Sequence, residues 1–223
     1  MKNKILSDLM ALKDDKYRDF NSKILNTSYP VIGVRMIDLR SYCKSLLKSG
    51  EEPVFLDTCY EEVLLHGIYI VSRKVPFSQK VEEVEAFLPK IDSWGICDSF
   101  VPSFKDIRKH REEYYPYILK YLASDKEFTQ RYGLVVLLDH YIRDEYLDEL
   151  YRIIKKQNYI GYYSKMAGAW LLSYLFMFYF EKTLAYVKEN ELDSFVYKKG
   201  IRKALDSYRL SIEQKQILQS LGS

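Results

Sequence analysis

The residues predict an all-α protein, a solenoid of antiparallel helix pairs, and three observations lead there. Arg131, Lys165 and Lys199 fall 34 positions apart, each opening a related run: Arg131-Tyr-Gly-Leu-Val-Val-Leu-Leu, Lys165-Met-Ala-Gly-Ala-Trp-Leu-Leu and Lys199-Gly-Ile-Arg-Lys-Ala-Leu. Leu137, Leu171 and Leu205 keep the same interval, as do Tyr117-Ile-Leu119, Tyr151-Arg-Ile153 and Ala185-Tyr-Val187. A period of this length marks stacked helix pairs, each burying its apolar face against its neighbours. Finally, no segment alternates apolar and polar residues with the period of two that a half-buried strand requires.

The elements follow from the breaks between periodic stretches. Turns are predicted at Asn26-Thr-Ser-Tyr-Pro30 with Gly33, at Ser49-Gly50-Glu-Glu-Pro53, at Val75-Pro76, and at Pro89 and Pro102. Thr27, Ser28 and Pro30 end any helix that enters their segment. Ser78 and Ser93 are candidate helix caps. Ser124 with Glu127, and Ser211 with Gln214, have the spacing of reciprocal capping boxes. The result is about a dozen helices in antiparallel pairs. With no long linker between them, residues 1–223 read as a single domain. The uncharged run from Met166 to Phe180 spans 15 residues, short of the roughly 20 that cross a bilayer, and reads as a deeply buried helix.

At 223 residues and 48% hydrophobic content, the chain can bury a large core. Its 34 basic and 31 acidic residues are unevenly placed: net +5 over 1–50, −6 over 51–100, −2 over 101–150 and +6 over 151–223. Basic ends around an acidic middle suit a polyanion partner, although a mixed solvated surface gives the same totals. Cys43, Cys59 and Cys97 form no CxxC pair, and with His66, His110 and His140 they show no metal-ligand spacing. No cofactor or metal is expected, and a reducing cytoplasmic setting fits the cysteines. An acidic residue, Asp8, precedes any long apolar stretch, so the start is not expected to be a signal peptide.

The stretch Ile91-Asp-Ser-Trp94-Gly-Ile-Cys-Asp98-Ser-Phe-Val-Pro102 is the most unusual. Trp94 and Asp98, four apart, share a helix face, where an indole and a carboxylate together stabilise a cation. A core Trp with an Asp favoured by the helix dipole accounts for the same pair. Trp170 follows Lys165 on the next repeat, and a place in the apolar run is its simplest explanation. Arg131 stands near a helix start, against the dipole preference; gripping a phosphate would explain this, and so would a salt bridge to Glu127.

Taken in order, Ser-Trp94-x-x-x-Asp98-Ser-x-Val-Pro102-x-Phe, Gln130-Arg131 before an apolar helix, and Lys165-x-x-x-x-Trp170 resemble the bacterial DNA alkylation repair glycosylases of the AlkD-like family. Asp15-Lys-Tyr-Arg-Asp-Phe-Asn-Ser-Lys and Ile32-Gly-Val-Arg-x-x-Asp-Leu-Arg40 are similar to that family too, so the likeness runs over about residues 5–220. The resemblance implies a right-handed superhelical solenoid of HEAT-like pairs whose concave face holds duplex DNA. It also implies release of cationic alkylated purines such as 3-methyladenine or 7-methylguanine. The catalytic carboxylate then falls on Asp98, the aromatic walls on Trp94 and Trp170, and the phosphate-binding arginine on Arg131; Lys165, Lys199 and Arg202 extend the basic row. The expected partner is double-stranded DNA carrying alkylated bases, with no membrane, and an open cradle is expected to act as a monomer. Better-studied members of the family carry a second N-terminal helix on the DNA near the lesion, a part that Lys23 to Pro30 does not match as regular helix. Gly95, where some relatives have an acidic residue, is expected to loosen its helix.

Two further readings use the same scaffold: a binder of damaged or branched DNA that cuts no bond, and a HEAT-type protein–protein scaffold whose basic row meets an acidic partner. Salt dependence separates the DNA readings from the last, because neutralising several phosphates makes affinity fall steeply with salt.

Overall fold

The computed structural model describes residues 4–221. Among them there is no strand, and thirteen α-helices joined by short 3-10 turns and loops form two compact units that divide between His110 and Arg111. None of the described helices is long and apolar enough to cross a membrane.

In the first unit the helices are α1 (Lys4–Ala11), α2 (Asp15–Ile24), α3 (Met36–Ser49), α4 (Tyr60–Ser72), α5 (Phe77–Phe87) and α6 (Trp94–Phe100). Helix α4 is the centre, buried almost all round and packed by α1, α3, α5 and α6. Apolar side chains explain most of that burial, but Glu61 and Glu62 are buried as well. Both stand in the first turn, where the helix dipole favours negative charge, and both accept backbone amides. Glu61 takes those of Ile32, Gly33 and Val34, and Glu62 takes those of Leu56 and Thr58. The loops at 25–35 and 50–59 are thereby held without regular structure of their own. The second is longer than the break expected at Ser49 to Pro53, because Glu62 draws the chain past Thr58 before α4 can start.

The second unit contains α7 (Arg111–Leu122), α8 (Glu127–His140), α9 (Leu147–Lys156), α10 (Gly161–Phe178), α11 (Phe180–Glu189), α12 (Ser194–Leu205) and α13 (Ile212–Leu221). Here the repeat is visible: α8, α10 and α12 begin at residues 127, 161 and 194. Helix α10 packs against α8 on one side and α12 on the other. Gln130 ties successive repeats together, donating to the carbonyls of Leu122, Ser124 and Asn158 and accepting from the Ile160 amide.

Several local expectations are corrected. Helix α8 is capped at Lys126, and the Glu127 carboxylate accepts from the Tyr163 amide of α10 instead of closing a box with Ser124. Ser124 accepts from Lys126. Helix α5 is preceded by Pro76, whose fixed φ suits a helix entry, so Ser78 lies inside the first turn. Ser93 occupies the cap position of α6, but its buried hydroxyl makes no cap bond. Ser211 and Gln214 do form the reciprocal pair, at 3.0 and 3.2 Å. The three cysteines are free and buried. Helix α10 is not sealed either: one strip of it, including Trp170, meets solvent.

Candidate functional site

The first unit presents Trp94 and Asp98 one turn apart on α6, both half-buried. A seven-residue helix holds a fixed orientation only if its ends are tied, and here both are. At its start, the Trp94 indole N–H donates to the Ile24 carbonyl at 3.3 Å. Asp92, two residues earlier, accepts from the Thr27 hydroxyl (2.8 Å) and from the amide (2.6 Å) and hydroxyl (2.7 Å) of Ser28. The Tyr29 hydroxyl donates to the Lys90 carbonyl. At the other end, Arg40 of α3 donates to the Ser99 carbonyl and the Ser103 hydroxyl, a cation placed where the dipole of α6 is negative.

Residues 24–29 thus form a strap along the Trp94 end of α6. Helix α2 stops at Ile24, as Thr27, Ser28 and Pro30 require, and the following residues are pinned to α6 by side-chain bonds. Gly95 has a packing role that outweighs any loosening. A Cβ there would collide with the Tyr60 hydroxyl and with Leu25, so only glycine lets α4 and the strap close on α6. Gly95→Ala is expected to destabilise the protein by about 2 kcal/mol, an overpacking cost, and to dislodge the indole. Chemical denaturation followed by tryptophan fluorescence reads both effects. Unchanged stability would mean that Tyr60 moves aside freely.

Tyr60 is buried beside this pair. Burial first, then the charges of Glu61, Tyr17, Asp98 and Asp92, push its hydroxyl far above the ordinary phenol range, so it stays neutral. The half-buried carboxylate and the fixed indole together can stabilise positive charge that develops within their reach.

The remaining expected residues lie in the second unit. Arg131 on α8 is 6% exposed, and its guanidinium donates to the Tyr163 carbonyl at 2.8 Å. With Glu127 on the Tyr163 amide, α8 holds both backbone groups of one residue in the first turn of α10. Lys165, the equivalent position one repeat later, reaches Asp193, the cap of α12, at 2.9 Å. Burial alone would raise the Asp193 carboxyl; the Lys165 bond and the amides of Val196 and Phe195 bring it below its ordinary value. Each of these two cations therefore ties its repeat to the next. Lys199 and Arg202 on α12 are exposed, with Lys199 6.0 Å from the centre of the Phe195 ring. Trp170 on α10 is half-buried, edge-on to Tyr174 at 6.0 Å, and Lys203 of α12 lies 6.0 Å from the centre of its ring.

Trp94 and Asp98 are brought together in one unit, while Arg131, Lys165, Trp170, Lys199 and Arg202 belong to the other. Sequence reasoning missed the strap, Tyr60, Arg40 and Lys203. Gly95 was the available clue to the first two, since a glycine beside a half-buried Trp signals a close approach. Lys203 stands four residues after Lys199, a spacing that continues the basic face of α12.

A comparison with curated proteins finds no match for the chain. The family model described as DNA alkylation repair enzyme matches residues 5–203, nearly the whole of both units, and the chain belongs to that family.

Proposed function

We propose that this DNA alkylation repair protein is a monofunctional glycosylase that hydrolyses the N-glycosidic bond of cationic alkylated purines in duplex DNA. The observation that carries the reading is the Trp94–Asp98 pair, half-buried on a helix tied at both ends. An alkylated purine already bears positive charge and departs with the bonding electrons as a neutral base, so no general acid is needed. The sugar left behind is oxocarbenium-like. Asp98 stabilises that charge and takes the proton of the water that attacks C1′, with the Trp94 ring beside it; the Trp170 ring of the second unit is proposed as a further aromatic contact to the DNA. A desolvated cation–π contact at about 2 kcal/mol supplies somewhat more than one decade of rate. The remainder must come from Asp98 and from the lability of the lesion, so normal, uncharged purines should be poor substrates.

The test is incubation of purified protein with methylated duplex and detection of freed 3-methyladenine and 7-methylguanine. Steeply salt-dependent duplex binding without base release would instead establish a DNA-structure binder. The strap at 24–29, standing where family members are expected to carry more helix, is the feature that favours that second reading. Binding only to proteins would leave the scaffold reading.

Arg131, Lys165, Lys199 and Arg202 are proposed to line the phosphate contacts. Arg131→Ala is expected to weaken binding to all duplex sequences alike and to lower the salt slope by about one unit. It should also cost about 1–3 kcal/mol of stability through the abandoned Tyr163 carbonyl. A stability loss with an unchanged slope would make Arg131 a tie between repeats and nothing more.

A further inference from the structure

Helix α10 has an unusual solvent face. From Met166 onward, the residues that are not buried are Met166, Trp170, Tyr174, Met177 and Phe178. A surface helix ordinarily turns charged and polar residues to water, and a contiguous apolar strip marks a binding surface. Three of these residues are aromatic at a spacing of four, so their rings line up. Trp170 and Tyr174 are 6.0 Å apart between ring centres, Tyr174 and Phe178 5.9 Å. Phe178 is 50% exposed.

Cations border the strip. Lys203 lies by Trp170, and the Arg209 guanidinium sits 5.2 Å from the centre of Phe178 and 5.8 Å from that of Tyr208, which is 91% exposed. Among the described residues none of Arg202, Lys203 and Arg209 forms an ion pair, whereas Arg143 and Arg152 of the same unit are each matched by a glutamate. Between residues 198 and 209 five cations face the single carboxylate of Asp206.

A row of apolar rings, set at 86° and 41° to one another and edged by cations without an ion pair, fits a chain of flat rings carrying negative charge. We infer that the strip from Trp170 to Phe178, continued by Tyr208 and Arg209, is a track for unpaired nucleotides of a DNA strand. Its bases stack on the rings, and its phosphates meet Lys203 and Arg209. The 6 Å ring spacing is nearly twice the roughly 3.4 Å step of stacked bases, so the track takes a splayed strand and not an intact duplex. The inference rests on the reading that the partner is DNA but not on base excision.

The experiment measures fluorescence anisotropy of full-length protein with a labelled single-stranded oligonucleotide and with the matching paired duplex at one salt concentration. Phe178→Ala with Tyr208→Ala is expected to weaken single-strand binding by about tenfold or more while duplex binding changes less than twofold. Phe178→Tyr, which keeps a ring, should behave as wild type. Because both side chains are exposed, the helical circular dichroism should be unchanged. Equal losses on both DNAs, no loss on either, or loss of the strip's effect only toward a protein partner would each overturn the inference. Base release from methylated duplex, assayed in parallel, keeps the two ideas apart. No release with ring-dependent strand binding fails the glycosylase reading alone; release with ring-independent binding fails the track alone.

Discussion

Replacing Asp98 with asparagine is expected to lower single-turnover release of 7-methylguanine from methylated duplex by about 100- to 1000-fold, the scale of losing one preorganised electrostatic stabiliser. Asparagine has nearly the same shape, and α6 is held by Trp94, Asp92 and Arg40, not by its own length. Helix position should therefore survive. In the proposed reaction, what changes is the charge facing the sugar when C1′ becomes electron-poor, and with it the acceptor for the water proton. Duplex affinity should stay the same or rise slightly, because the change removes a negative charge and alters no cation. This direction separates the catalytic role from a folding role, which would lower binding and stability together. Wild-type release rates in the variant would remove Asp98 from the chemistry.

The second unit was legible in the sequence because repetition writes tertiary structure into local spacing. Helices α8, α10 and α12 begin 34 and then 33 residues apart, within one residue of the interval read from the sequence. The interval does not say what a repeated residue faces. Arg131 and Lys165 are equivalent, and both turn to the start of the following helix, so their periodicity reflects an equivalent neighbour as much as a shared surface. The box expected from Ser124 and Glu127 failed for the same reason: the glutamate's partner, Tyr163, is a full repeat away. In the first unit, contacts that set the site join residues far apart in sequence. Asp92 bonds Thr27 and Ser28, and Trp94 bonds Ile24. Local pattern found the Trp94–Asp98 face and, in Gly95, a sign of close approach, but not which distant residues form the strap. The strip on α10 was hidden by composition, since an uncharged run looks buried until its neighbours are known to cover only part of it.

The largest stability effect is expected at Glu61. Its carboxylate, 1% exposed, accepts from the amides of Ile32 at 2.9 Å, Gly33 at 2.6 Å and Val34 at 3.3 Å. The loop cannot satisfy these amides itself: Gly33, at φ +94°, already gives its carbonyl to the Asp14 amide, and a side chain there would strike Asp14 and Arg18. Glu61→Ala leaves three inward amides without an acceptor. At about 1–3 kcal/mol for each unsatisfied group, less the relief of no longer burying a charge, the net loss is about 4 kcal/mol. That corresponds to roughly a 10 °C fall in melting temperature for a chain of this size. Glu61→Gln keeps one acceptor oxygen and should lose about half as much. The effect reaches the site, because Asp14, held by Gly33 and by Arg35 at 2.7 Å, caps α2, and the far end of α2 supplies the Ile24 carbonyl that holds Trp94. Thermal melts of the two variants, with tryptophan fluorescence as one readout, check the ordering. A loss under 1 kcal/mol in the alanine variant would mean that water replaces the carboxylate and that the placement of Trp94 does not depend on this buried charge.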